Sequence, residues 1–77
     1  MNITFRQVDA FRTVVSTGTV TEAAAMLGIS QPAVSRLISD FESEVGFKLF
    51  QRLGRYLMPT EEARLLVGDV RQVISGM

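Results

Sequence analysis

The 77 residues carry eight Lys+Arg against eight Asp+Glu, no Cys and no His, and 47% hydrophobic residues. A chain this short holds one domain, and without thiol or imidazole it has no disulfide frame, no ordinary zinc site and no nucleophilic triad. Zero formal charge argues against a generally polybasic nucleic-acid binder, and the longest apolar run, Ala23 to Leu27, is far short of the ~20 residues a membrane span needs.

The opening Met-Asn-Ile-Thr-Phe-Arg has no apolar core of signal-peptide length, so a soluble, cytoplasmic protein without a membrane partner is expected. Phe5, Val8, Phe11 and Val15 then recur at helical spacing among Arg6, Gln7, Arg12 and Thr13, which predicts an amphipathic helix that Gly18 stops. Thr19 can cap a second helix over Val20 to Leu27. Glu22, three residues on, completes a T-x-x-E capping box in which each side chain satisfies the other residue's orphan amide. Gly28 suits the left-handed position that ends a helix, and Ile29 supplies the apolar contact that accompanies such an end.

Ser30 is a good N-cap, and Pro32 falls in the first turn of a third helix, where a missing amide hydrogen costs nothing. Val34, Ile38, Phe41 and Val45 form the inner face of that helix. Gln31, Ser35, Arg36, Ser39, Asp40 and Glu42 fall mainly on other faces, and Gly46 ends it. Residues 47–50 read as a short helical turn. Residues 51–53 and 56–58 read as two short strands around a tight turn that Pro59 closes. Thr60 caps a last helix with Glu61 and Glu62 in its first turn, where the helix dipole favours acid. Along it Ala63, Leu66, Val67, Val70, Val73, Ile74 and Met77 make a heptad-like stripe with no partner left in the chain.

A core drawn from so few residues seldom supplies more than about 3–5 kcal/mol, so burial of that stripe against a second copy is expected. The predicted dimer seam is Leu66, Val70, Val73 and Met77. Cations concentrate earlier, at Arg36, Lys48, Arg52 and Arg55, which makes the middle of the chain the local basic patch. No cofactor or metal is expected, and Glu42 with Glu44, or Glu61 with Glu62, read as solvated helix positions rather than catalytic pairs.

The second and third helices carry what a helix-turn-helix crossing requires: a small residue at the crossing, a Gly in the turn and apolar pins, here Ala24, Gly28, Ile29, Val34 and Leu37. The outward chemistry of the third helix suits DNA. Gln31 can pair bidentately with adenine, Ser35 can donate to base or phosphate, Arg36 can take guanine or phosphate, and Pro32 and Ala33 offer apolar contact to thymine methyls. The rival reading is a winged-helix module that presents the same surface to a protein and binds no DNA.

Ala23-Ala24, the run Ser30-Gln31-Pro32-Ala33-Val34-Ser35-Arg36, then Phe41-Glu42, Gly46, Leu49-Phe50, Arg52 and Pro59-Thr60-Glu61 resemble the amino-terminal DNA-binding domain of LysR-type transcriptional regulators, in order and at family spacing. The resemblance implies a mainly α fold: a winged helix-turn-helix over 1–59 with a short β-hairpin wing, then a linker helix over 60–77 that pairs with its twin. It implies sequence-specific binding to a double-stranded DNA operator, as a homodimer on an interrupted inverted repeat, with an effector-binding domain in a longer parent chain and no enzymatic activity. By position, Gln31, Pro32, Ser35 and Arg36 face the major groove, Arg52 and Arg55 on the wing reach phosphates or the adjacent minor groove, and Thr19 contacts backbone phosphate. The sequence departs from the family at Ser39 and Asp40, where many relatives are basic, and at Glu62-Ala63-Arg64, where Ala-Gly is common after Thr-Glu. With Arg6-Gln7-Val8 and Phe11-Arg12 it is most similar to members that answer to amino acids or opines.

Overall fold

A computed structural model describes residues 2–66. Three helices, α1 (Phe5–Thr17), α2 (Val20–Leu27) and α3 (Gln31–Val45), precede an antiparallel hairpin of β1 (Phe50–Leu53) and β2 (Tyr56–Pro59), and a further helix, α4, is described over 61–66. This is a winged helix-turn-helix, as the sequence predicts.

The local signals set the helix boundaries. α1 begins in a full capping box: the Gln7 amide donates to Thr4 Oγ1 and the Thr4 amide donates to Gln7 Oε1, both at 3.2 Å. The box expected from the T-x-x-E spacing at α2 is only half formed. There Thr19 Oγ1 accepts the Glu22 amide at 3.1 Å, but the reciprocal bond is not formed, so Glu22 stays exposed at the helix mouth. Ser30 Oγ accepts the Ala33 amide at 3.2 Å to start α3. Gly28, at φ 69°, closes α2, and the Ile29 amide reaches back to the Ala24 carbonyl at 3.1 Å, which turns the chain sharply into α3.

The interior is two clusters that share Ile38 and Phe50. Phe11, Phe41, Leu49 and Ala63 centre the first; Val14, Ala23, Ala24 and Val34 centre the second. Phe11 meets Phe41 edge-on at 5.6 Å between ring centroids and Phe50 at 5.5 Å, so a wing residue and two helices lock on one ring. Ala63 brings the first turn of α4 into the same cluster.

The buried face of α1 is Gln7, Ala10, Phe11 and Val14, while Phe5 is 82% exposed and Val8 and Val15 sit at the margin of the core. At roughly 100° per residue Phe5 points nearly opposite that face, so it alone of the stripe Phe5, Val8, Phe11 and Val15 falls outside the core, while Phe11 is buried and Val8 and Val15 pack against it. The helical turn expected at 47–50 is absent: 47–49 is irregular and Phe50 already belongs to β1. Here the backbone bonds go to distant partners. The Leu49 amide donates to Glu42 Oε2 at 2.8 Å, and Leu49 and Lys48 carbonyls accept from the Thr60 amide and hydroxyl at 3.0 and 2.6 Å. Each strand is one residue longer than predicted, with Phe50 opposite Pro59 and Leu53 opposite Tyr56.

Candidate nucleic-acid interface

The wing turn is built by Gly54. Its φ of 64°, followed by Arg55 with no positive φ, is the pattern of a two-residue type II′ turn, whose twist matches the flanking strands. β2 is tied to the helices by the Leu57 amide, which donates to the Gly18 carbonyl at 2.8 Å. That bond sets the wing beside the turn between α1 and α2.

The result is an open cleft of about 460 Å³ lined by Thr19, Val20, Thr21 and Glu22 at the start of α2, Gln31 at the start of α3, and Arg52, Arg55 and Leu57 of the wing. Four of the residues singled out from the sequence, Thr19, Gln31, Arg52 and Arg55, therefore meet on one surface although they span 36 positions of the chain. The start of α2 offers the Val20 and Thr21 amide hydrogens to an anion, and Arg52 and Arg55 line the same cleft together with Glu22. Thr19 Oγ1 is occupied as a cap acceptor, which leaves its hydroxyl hydrogen for an outside acceptor.

The remaining predicted residues follow along α3. Pro32, Ser35 and Arg36 are exposed and Ala33 is half-buried, while Val34 and Phe41 on the opposite side are in the core. Arg36 does not line the cleft. Its Nε lies 3.4 Å from Asp40 Oδ2 one turn on, with the Arg36 side chain 81% exposed. Lys48 stands apart: it pairs with Glu42 Oε1 at 3.8 Å and lines a separate depression with Ser39, Ser43, Gly46 and Phe47. The local basic patch of Arg36, Lys48, Arg52 and Arg55 is thus divided in the fold, and of the four only Arg52 and Arg55 share the cleft. Of the predicted dimer seam, Leu66 is described and is partly exposed at 39%; Val70, Val73 and Met77 lie outside the described residues.

Sequence reasoning missed Val20, Thr21, Glu22 and Leu57 as lining residues, and it missed Tyr56, whose ring lies 5.2 Å from the Arg55 guanidinium carbon. Alternation along a strand puts neighbouring side chains on opposite faces, so no periodicity signals that contact.

The profile of the family described as "Bacterial regulatory helix-turn-helix protein, lysR family" matches residues 5–64. The chain belongs to the lysR family. Two of its relatives are the regulatory protein NocR of Agrobacterium fabrum (strain C58 / ATCC 33970), 49% identical over 72 residues, and the octopine catabolism/uptake operon regulatory protein OccR of Rhizobium meliloti, 46% identical over 72 residues. Each match covers 94% of this chain and 24% of the relative, so the chain spans about a quarter of these LysR-family proteins. Among solved structures, the DNA-binding domain of CbnR in complex with DNA matches with a TM-score of 0.80 at 29% identity, covering 94% of this chain and 83% of that one. Corynebacterium glutamicum OxyR matches with a TM-score of 0.84 at 25% identity over 99% of this chain and 24% of that one. This is a LysR-type helix-turn-helix DNA-binding domain. Its curated relatives are transcriptional regulators, and among the described residues no helix is long and apolar enough to cross a membrane.

Proposed function

We propose that this LysR-type domain reads a double-stranded operator as a homodimer on an interrupted inverted repeat. The observation that carries the reading is the meeting of Thr19, Gln31, Arg52 and Arg55 on one open cleft beside the exposed first turn of α3. A major groove about 12 Å wide admits α3 over 31–45, with Gln31, Pro32, Ala33, Ser35 and Arg36 at base edges and the adjoining phosphates. The wing over 51–58 then follows the backbone, where Arg52 and Arg55 take phosphates or the narrow, electronegative minor groove of A·T-rich DNA. Thr19, with the amides that open α2, takes a further phosphate.

In this reading residues 1–59 bind DNA and 60–77 form the linker helix, whose stripe of Leu66, Val70, Val73 and Met77 meets its twin. Burial of apolar surface there, at roughly 25 cal/mol per Å², supports the small core of each domain. The likeness to CbnR in its DNA complex and the order of the Ser30-to-Arg36 run support DNA as the partner. The domain works in the cytoplasm as the operator-reading quarter of a longer regulator with an effector-binding domain. An amino-acid or opine effector is supported by the likeness to OccR, whose name assigns it to octopine catabolism.

Selection of bound sequences from a random duplex pool tests the reading. Enrichment of an inverted repeat with half-sites about one helical turn apart is the expected result. A pool that returns no enriched sequence, with no duplex shifted at low salt, moves the domain to the protein-binding class.

A further inference from the structure

Arg55 is the cation at the tip of a two-residue turn, and an exposed arginine there ordinarily samples many rotamers, whose loss on binding DNA weakens the contact. In this wing it is held. Its guanidinium carbon stands 5.2 Å from the centroid of the Tyr56 ring, inside the ≈ 6 Å range of cation–π attraction. The backbone under the ring is anchored, since the next amide, Leu57, is bonded to the Gly18 carbonyl at 2.8 Å, and the ring edge lies beside Gly18, where Tyr56 Cδ1 would sit at ordinary contact distance, 3.5 Å, from an added Cβ. Tyr56 is 47% exposed, so one face of its ring is open to the Arg55 guanidinium. Among the described residues the ion pairs are Arg36–Asp40 and Lys48–Glu42, so Arg55 keeps its full charge for a phosphate while its position is set by a ring.

We propose that Tyr56 is a positioning residue for DNA readout, anchored on the turn between α1 and α2 and carrying the Arg55 guanidinium on its ring so that it is pre-organised at the mouth of the cleft. The function assigned to the pair rests on the operator-reading proposal above; the pairing itself does not.

The test uses the 77-residue chain with Tyr56→Leu, Tyr56→Phe, Arg55→Ala and the double variant Arg55→Ala/Tyr56→Leu. On the selected duplex Tyr56→Leu weakens binding by about two- to fivefold per wing, the size of an exposed cation–π contact. Tyr56→Phe binds like the parent, and Tyr56→Leu adds nothing once Arg55 is Ala. Equal losses from Tyr56→Leu in both backgrounds overturn the positioning role, as does a Tyr56→Leu variant that binds like the parent. A second readout needs no DNA: the Arg55 δ-protons of the free domain are shifted upfield by the ring, and Tyr56→Phe keeps that shift while Tyr56→Leu removes it. Unshifted δ-protons in the parent overturn the proposal even if Tyr56→Leu fails to fold. Shifted protons in a domain that binds no duplex keep the pairing and discard the operator reading.

Discussion

In the operator-reading proposal both the outer surface of α3 and the wing meet DNA, yet they are built on different electrostatic terms. On α3 the one cation, Arg36, shares its charge with Asp40, and Gln31, Pro32, Ala33 and Ser35 around the first turn are neutral. On the wing, Arg52 and Arg55 line the cleft without a carboxylate partner among the described residues. The helix is suited to reading bases by hydrogen bonds and the wing to drawing in the backbone by charge. A net charge of zero thus conceals a division of labour: the formal total averages over paired and unpaired cations, whereas a phosphate meets only those that face it.

The largest expected effect removes both regions together. Phe41 is 3% exposed and stacks edge-on against Phe11, which in turn touches Phe50 of the wing. Phe41→Ala is expected to cost about 3–5 kcal/mol, comparable to the whole stability of a core this small, and urea unfolding followed by circular dichroism checks it. Retention of a cooperative transition near the parent midpoint would show that the two clusters fold independently of this ring.

Gln31→Ala separates readout from charge. It is expected to lose about 1–3 kcal/mol of discrimination at one base pair per half-site while the dependence of log K on log salt stays parallel to the parent. Repeating the selection with the variant checks this, and an unchanged site would make Gln31 a first-turn residue without a base contact.

Arg52→Ala and Arg55→Ala act in the opposite sense. With Lys48 paired to Glu42 away from the cleft and Arg36 paired to Asp40, two cations per protomer, Arg52 and Arg55, carry the charge term, and a dimer contacting four phosphates has a slope near −4, taking about −0.9 per phosphate. Either wing variant is expected to make that slope shallower by about two, with a greater loss for Arg55→Ala on A·T-rich than on G·C-rich flanks. Titrations at four salt concentrations measure it; parallel lines would assign the charge term to α3 after all.

The smallest effect comes from Asp40→Asn, which releases Arg36 from an exposed pair of the kind worth about 0–1 kcal/mol. Stability is expected to change by a few tenths of a kcal/mol at most, while the salt slope steepens toward that of a fully charged helix surface. A steeper slope with an unchanged selected site confirms that α3 of this domain trades charge for neutrality at Asp40.

Much of the architecture was legible because it depends on contacts within one helical turn. The caps at Thr19, Ser30 and Thr60, the stop at Gly28 and the inner face of α3 at Val34 and Phe41 all follow from residues three or four positions apart. The chemistry of the first turn of α3 was legible for the same reason: Ser30 and Pro32 start the helix, which leaves Gln31, Ser35 and Arg36 outward once Val34 turns in. Phe5 was misread because apolar spacing gives a period but not which side meets a neighbour, and in α1 that side was chosen by Ala10 and Val14.

By itself, then, the sequence determined the elements, their ends and the kinds of side chain offered to a ligand, since these are settled by hydrogen bonds and sterics local to the chain. Tertiary structure alone decided how those offers combine. At 47–49 the chain leaves the helix with Lys48 and Leu49 backbone groups bonded to Glu42 and Thr60, up to 12 positions away. Lys48 left the basic group for Glu42, and Gly18 held β2 so that Arg52 and Arg55 line one cleft with Thr19 and Gln31. Each of these rests on a contact between segments brought together only when the core closes, and such contacts leave no periodicity in the chain.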